Sequence, residues 1–130
     1  MTTRQAELQR VLQSLSDEIT RAEWVALVDQ NGLMVSCVPP EPLIESDRVA
    51  AMAAAAAQTA ERVLAELEGG ALRFAAITGS RRQHLTVFLS RERLLAIGLP
   101  PEVEAQSIVP SLQRWVPELI QVLKRRYVNE

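Results

Sequence analysis

The stretch WVALVDQNGLMVSCV, residues 24–38, decides the fold. Two apolar runs, WVALV and LMVSCV, flank Asp29, Gln30, Asn31 and Gly32. Apolar runs of strand length across an Asn-Gly pair predict a β-hairpin. Gly32 takes a positive φ either in a two-residue Asn-Gly turn or in a G1 bulge after a type I turn, and both stay open. The first run shows no polar alternation, so both its faces are buried, inside a sheet with helices on each side. The second run meets Pro39, Pro40 and Pro42, which cannot donate ladder bonds and place it at a sheet edge or its exit.

Upstream, residues 3–21 read as an amphipathic helix, with Leu8, Val11, Leu12, Leu15 and Ile19 on one stripe. Downstream, Ser46 or Asp47 is the expected cap of a helix over 47–68 that stops at Gly69-Gly70. Val49, Met52, Ala53, Ala56, Ala60, Val63, Leu64 and Leu67 form the face expected to lie on the sheet. Residues 72–78, 84–89 and 94–99 are three further strands, and their short polar links make them antiparallel neighbours. A last helix carries Val109, Leu112, Val116, Leu119, Ile120, Leu123 and Tyr127. Pro110 and Pro117 predict a late start or a kink there. The fold class is α+β: a five-stranded antiparallel sheet between helices, ordered α-β-β-α-β-β-β-α, as a single domain over 1–130.

Composition narrows the function. The chain has 130 residues and a net charge of −2, too near zero to argue for nucleic acid, and no aromatics interleave with its basic residues. Its one cysteine, Cys37, fits a reducing compartment. One histidine, His84, cannot build a Cys/His or two-histidine metal site. One lysine, Lys124, follows no glycine-rich loop, so there is no phosphate-binding loop. The longest apolar run, 49–57, is nine residues, against about 20 for a membrane span. The expectation is a cytoplasmic chain without membrane insertion, metal or cofactor. His84 near Ser90 or Cys37 has no supporting local motif, so no catalytic residue is assigned and the chain reads as a non-enzyme.

At this point the chain resembles the Roadblock / dynein-light-chain family, close in fold to longin and profilin-like domains. The hairpin ALVDQNGLMVS (26–36) looks like the family's hydrophobic-D-x-x-G-hydrophobic signature. The alanine-rich second helix and the meander over 72–99 follow in order, and the match spans about residues 5–128. The resemblance implies a homodimer built by pairing second helices and third strands. It also implies a non-catalytic partner of a Ras-like small GTPase, as in bacterial members of the MglB type, which act on a polarity or motility GTPase.

The alanine run gives the dimer an independent argument. Ala50, Ala51, Ala54, Ala55 and Ala57 leave the helix without a polar back, so it wants burial on more than one side. Ala50, Ala54 and Ala57 are assigned to the dimer seam, with Leu72, Phe74, Ala75 and Ile77 of the pairing strand. A proline at Ala75 is expected to weaken the pairing if its N–H points across the interface. GTPase docking is assigned to Gln58, Glu61, Arg62 and Ala65 on the helix, and to Arg81 and Arg91 on the arginine-rich turns. The plainer reading of Arg73, Arg81, Arg82, Arg91 and Arg93 is solubilising charge. The resulting expectation is a homodimeric regulator that binds a Ras-like small GTPase and modulates its GTP hydrolysis or nucleotide state. The alternative is a structural adaptor subunit of a larger complex, and a small-molecule sensor stands third.

Overall fold

In the computed structural model, which describes residues 2–127, helix α1 spans Arg4–Glu18. The Thr3 hydroxyl caps it, accepting from the Ala6 N–H at 3.1 Å. Strands β1 (Trp24–Asp29) and β2 (Met34–Val38) form the hairpin, and α2 (Ser46–Glu66) follows. The meander is β3 (Phe74–Thr78), β4 (Gln83–Phe88) and β5 (Arg93–Leu99). A 3-10 turn, Ala105–Ile108, leads into α3 (Val109–Lys124).

The hairpin settles the open turn. Gly32 has φ +83°, while Asn31 is not left-handed, which excludes the two-residue type I′ turn. The Gly32 N–H donates to the Asp29 carbonyl at 3.1 Å, and the Asp29 N–H to the Leu33 carbonyl at 3.0 Å. The Asp29 carboxylate accepts from the backbone of Asn31 (2.9 Å) and Leu33 (3.0 Å), which fixes the loop. This is the bulged form. Space adds to the demand for glycine, since a Cβ at Gly32 would stand 3.3 Å from the Ala51 Cα on α2.

The sheet is antiparallel throughout, in the order β2-β1-β5-β4-β3. Period-two alternation divides it between two helical layers. Val25, Leu27, Leu85, Val87, Leu95, Ile97 and Leu99 face α1 and α3. Trp24, Ala26, Val28, Cys37 and Ala96 face α2. Trp24 to Val28 are all buried, as their unbroken apolarity demands.

Small residues on that second face, Ala26, Ala96 and Gly98, let α2 lie close, and the helix is rotated from the expected orientation: Val49 and Ala53 face the sheet as expected, while its larger side chains turn out. Val49, Ala50, Ala53, Ala54 and Ala57 are buried against the chain's own sheet. Met52, Val63 and Leu67, expected on the sheet, are 62%, 49% and 71% exposed. The N-cap is Glu45, and neither Ser46 nor Asp47 caps with its side chain. Past the helix end it is Glu68 that takes the left-handed conformation, and the Gly69 N–H closes the last turn on the Leu64 carbonyl at 2.7 Å.

Pro110 stands in the first turn of α3, where a missing N–H costs nothing, so the helix starts at Val109 behind its 3-10 turn. Pro117 is accommodated inside the helix on its exposed side, beside exposed Gln113. Trp115 and Arg114 tie α3 to α1 through Glu18, at 2.5 and 3.2 Å. Those donors hold the Glu18 carboxyl below its ordinary range, the Trp115 bond most of all.

The two sheet edges differ. At β2, the Gln9 side-chain amide of α1 donates to the Cys37 carbonyl at 3.2 Å and to the Ser36 hydroxyl at 2.6 Å. Gln5 reaches Ser36 (3.2 Å) and the Val35 carbonyl (3.5 Å) of the same strand. Beyond β3 no further strand pairs among the described residues. The Phe88 N–H donates to the Arg73 carbonyl at 2.9 Å, which sets the alternation of the β3–β4 ladder. Ala75 and Ile77 therefore bond to β4, while the backbone groups of Phe74, Ala76 and Thr78 face the open edge. A proline at Ala75 would break the chain's own ladder; the outward N–H belongs to Ala76.

Candidate functional site

Where α2 passes above β3 and β4 it leaves an apolar groove of about 620 Å³. Its helix wall is Arg48, Met52, Ala55, Ala56, Thr59 and Ala60, and its sheet wall includes Ala75, Ile77 and His84, with Trp24 at one end. Met52 of α2 and Ile77 of β3, which is 57% exposed, line it, and Val63 of α2 and Leu67 just past its end are exposed as well. Arg82 pairs with Glu23 at 2.7 Å and lies over the Trp24 ring, 5.5 Å from its centroid. The Trp24 indole N–H is buried and has no hydrogen-bond partner among the described residues. His84 contacts the Thr86 hydroxyl at 2.5 Å, and burial pulls its pKa below the ordinary 6.5, so the ring is neutral at pH 7.

The structure redistributes the residues assigned from sequence. Ala50, Ala54 and Ala57 cannot form a seam with a second copy, because the chain's own sheet covers them. Leu72 is likewise buried, with Ala57 and Leu94, and lies before β3 rather than in it. Phe74 turns toward the α1/α3 core. Ala75 and Ile77 do stand at the open groove. On the opposite flank of α2, Gln58 and Glu61 meet Arg91 and the hairpin residues Gln30 and Asn31 in a cleft of about 280 Å³. Arg62 and Ala65 are exposed on the helix back. Arg81 is separate, since the β3–β4 turn lies at the other end of the sheet, about 20 Å away at about 3.3 Å per residue. The arginines thus form no single patch.

Met52, Val63, Leu67, Ala76 and Arg82 are the surface residues that the sequence reading did not place here. Their signal was present in the strands. Ala26, Ala96 and Gly98 form a shallow bed that accepts only the small side of α2, leaving the large side chains outside. Burial pushes the Cys37 thiol up to about 11, which disfavours the reactive thiolate. Among the described residues there is no cluster of His, Cys, Asp and Glu fit for a metal, and no helix long and apolar enough to cross a membrane.

A three-helix, five-stranded α+β domain with this hairpin and this open edge defines a class. The model of the Roadblock/LC7 domain matches residues 8–98, and the chain belongs to that family. Solved structures carry the likeness over nearly the full length. MglB of Myxococcus xanthus superposes with a TM-score of 0.81 at 13% identity, covering 99% of this chain and 98% of that one. The gliding protein MglB of Thermus thermophilus gives 0.79 at 14% identity, covering 94% and 92%. A Roadblock/LC7 domain from Streptomyces avermitilis gives 0.77 at 16% identity, covering 89% and 97%. At these identities the likeness is one of fold. No curated protein sequence matches the chain.

Proposed function

We propose that this chain is a non-catalytic homodimer that binds a Ras-like small GTPase and modulates its nucleotide state. The observation that carries the dimer is the apolar groove beside an unpaired strand edge. A short apolar edge left open templates pairing, and a second copy satisfies both the edge and the groove in one isologous contact. The GTPase reading rests on family membership and on the likeness to MglB, together with the lack of a phosphate-binding loop in the chain itself. Such a regulator acts through differential affinity: it shifts the partner only as far as it binds one nucleotide state better than the other.

Two measurements test this. Light scattering at tens of micromolar should give about twice the 14.4 kDa chain mass. Pulldown from native lysate, followed by GTP turnover of any GTPase recovered, should show a changed rate or nucleotide occupancy. Capture of a scaffold or motor component with no GTPase would favour the adaptor reading. Strong GTP hydrolysis by the isolated chain would overturn the proposal.

A further inference from the structure

A second concave surface lies on the other side of the sheet, between the β4–β5 turn and the last turn of α3. Leu89, Ile120 and Leu123 wall a cleft of about 310 Å³ there, and Ser90, Glu92, Arg93 and Lys124 stand around it. Leu89 and Leu123 also pack on the α1/α3 core, which holds these walls from behind.

The donors around the cleft are not used up within the chain. Arg93 donates from Nη1 to the Glu92 carbonyl at 3.1 Å, while its Nε is buried with no hydrogen-bond partner among the described residues. Neither Arg93 nor Lys124 makes an ion pair among those residues. The Ser90 hydroxyl accepts from the Glu92 N–H at 3.3 Å and keeps its own proton to give. Opposing charge is limited. Asp29 faces Arg93 across the β1–β5 ladder, but its carboxylate is engaged by the N–H groups of Asn31 and Leu33. Glu92 lines the cleft and is the carboxylate that competes. The C-terminal end of α3 adds a negative charge of about half a unit. Against these stand Arg93 and Lys124, followed directly by Arg125 and Arg126, both exposed. Glu130 lies outside the described residues.

We propose that this cleft docks an acidic, leucine-bearing peptide segment of a partner protein. An aliphatic side chain enters between Leu89, Ile120 and Leu123, and flanking carboxylates meet Lys124 and Arg93. Apolar walls beneath unpaired cations suit such a segment in both respects. A flat anionic lipid surface would reach the exposed cations and leave the recessed walls unfilled, as would a free inorganic anion. Neither α2 nor β3 takes part, so the site does not rest on the dimer reading.

The probe is a short fluorescein-labelled peptide with two leucines flanked by glutamates, followed by fluorescence anisotropy. Binding should be saturable below about 1 mM, and Lys124→Glu should weaken it about tenfold or more. Lys124 is exposed, and circular dichroism checks that the variant keeps its fold. Serine in place of both leucines should also weaken binding about tenfold. No saturable binding, or equal binding by the Lys124→Glu chain, overturns the proposal. So does a serine peptide that binds as well as the leucine one, since charge alone would then suffice. Cosedimentation with phosphatidylserine vesicles but no peptide binding would replace the peptide by a membrane surface. The Lys124→Glu chain should keep the wild-type mass in light scattering, so a failed docking test leaves the proposed function standing.

Discussion

Replacing Gly98 by alanine should unseat Trp24. The two residues face each other directly across the β1–β5 ladder. A Cβ on Gly98 would stand 2.6 Å from Trp24 Cζ2 and 2.7 Å from Cδ2, with Cε2 nearer still. Carbon atoms pack at about 3.5–4.0 Å, so the ring must move by about 1 Å. It cannot move freely, because Arg82 covers it and Val49 and Ala53 pack on it in the α2 core. Overpacking of this kind costs about 1–3 kcal/mol. At about 2.1 cal/mol/K per residue, the entropy of unfolding this chain is about 0.27 kcal/mol/K, so the melting temperature should fall by about 4–11 °C. Calorimetry measures the drop, and near-ultraviolet circular dichroism reports the ring. In a Trp24→Leu background the same change should cost less than about 0.5 kcal/mol, since the obstacle is gone. A Gly98→Ala protein melting within about 1 °C of wild type, or an equal loss in both backgrounds, would refute the reasoning.

Ala76→Pro should weaken dimerisation at least about tenfold in sedimentation with little change in chain stability, because it deletes an N–H of the open edge; Ala75→Pro should instead lower stability by breaking the β4 ladder. His84 gives a pH dependence: its folded pKa lies below the 6.5 of the free side chain, so the unfolded chain takes up the proton first. Stability should therefore be full above pH 6.5, decline as pH falls below it, and follow a flatter course in His84→Gln, all measured by denaturant titration. Exchanging the charges of the helix back, Glu61→Arg with Arg62→Glu, should reduce GTPase binding in a pulldown while leaving dimer mass and net charge unchanged. Unchanged binding would move the docking surface to the turns around Arg81 and Arg91.

Element order, hairpin and edge were legible because their signals are local. Apolar run lengths, one Asn-Gly pair and three prolines near β2 are sufficient to set them. The rotation of α2 was not. A periodicity argument weighs large apolar residues above alanine, and so turned Met52, Val63 and Leu67 inward. The strands beneath have little depth, since Ala26, Ala96 and Gly98 are met from α2 by Val49 and alanines. That constraint is tertiary: it lies in residues from β1 and β5, far apart in sequence. For the same reason Ala50, Ala54 and Ala57 read as surplus apolar surface when they are the core contact. Pro117 was legible as a disturbance and not as a solution, because its tolerance depends on facing outward in α3.

The unequal protection of the sheet also sets an arithmetic of growth. The β2 margin has its outward carbonyls occupied by glutamine amides from α1, and its chain exits through prolines. The β3 margin is bare. A particle with one live end and one dead end can be joined once, after which only dead ends remain. In the proposed dimer, assembly by strand addition would therefore terminate at the pair instead of propagating into a fibre. The two glutamines on α1 would act as chain stoppers, at a site remote from the open β3 edge.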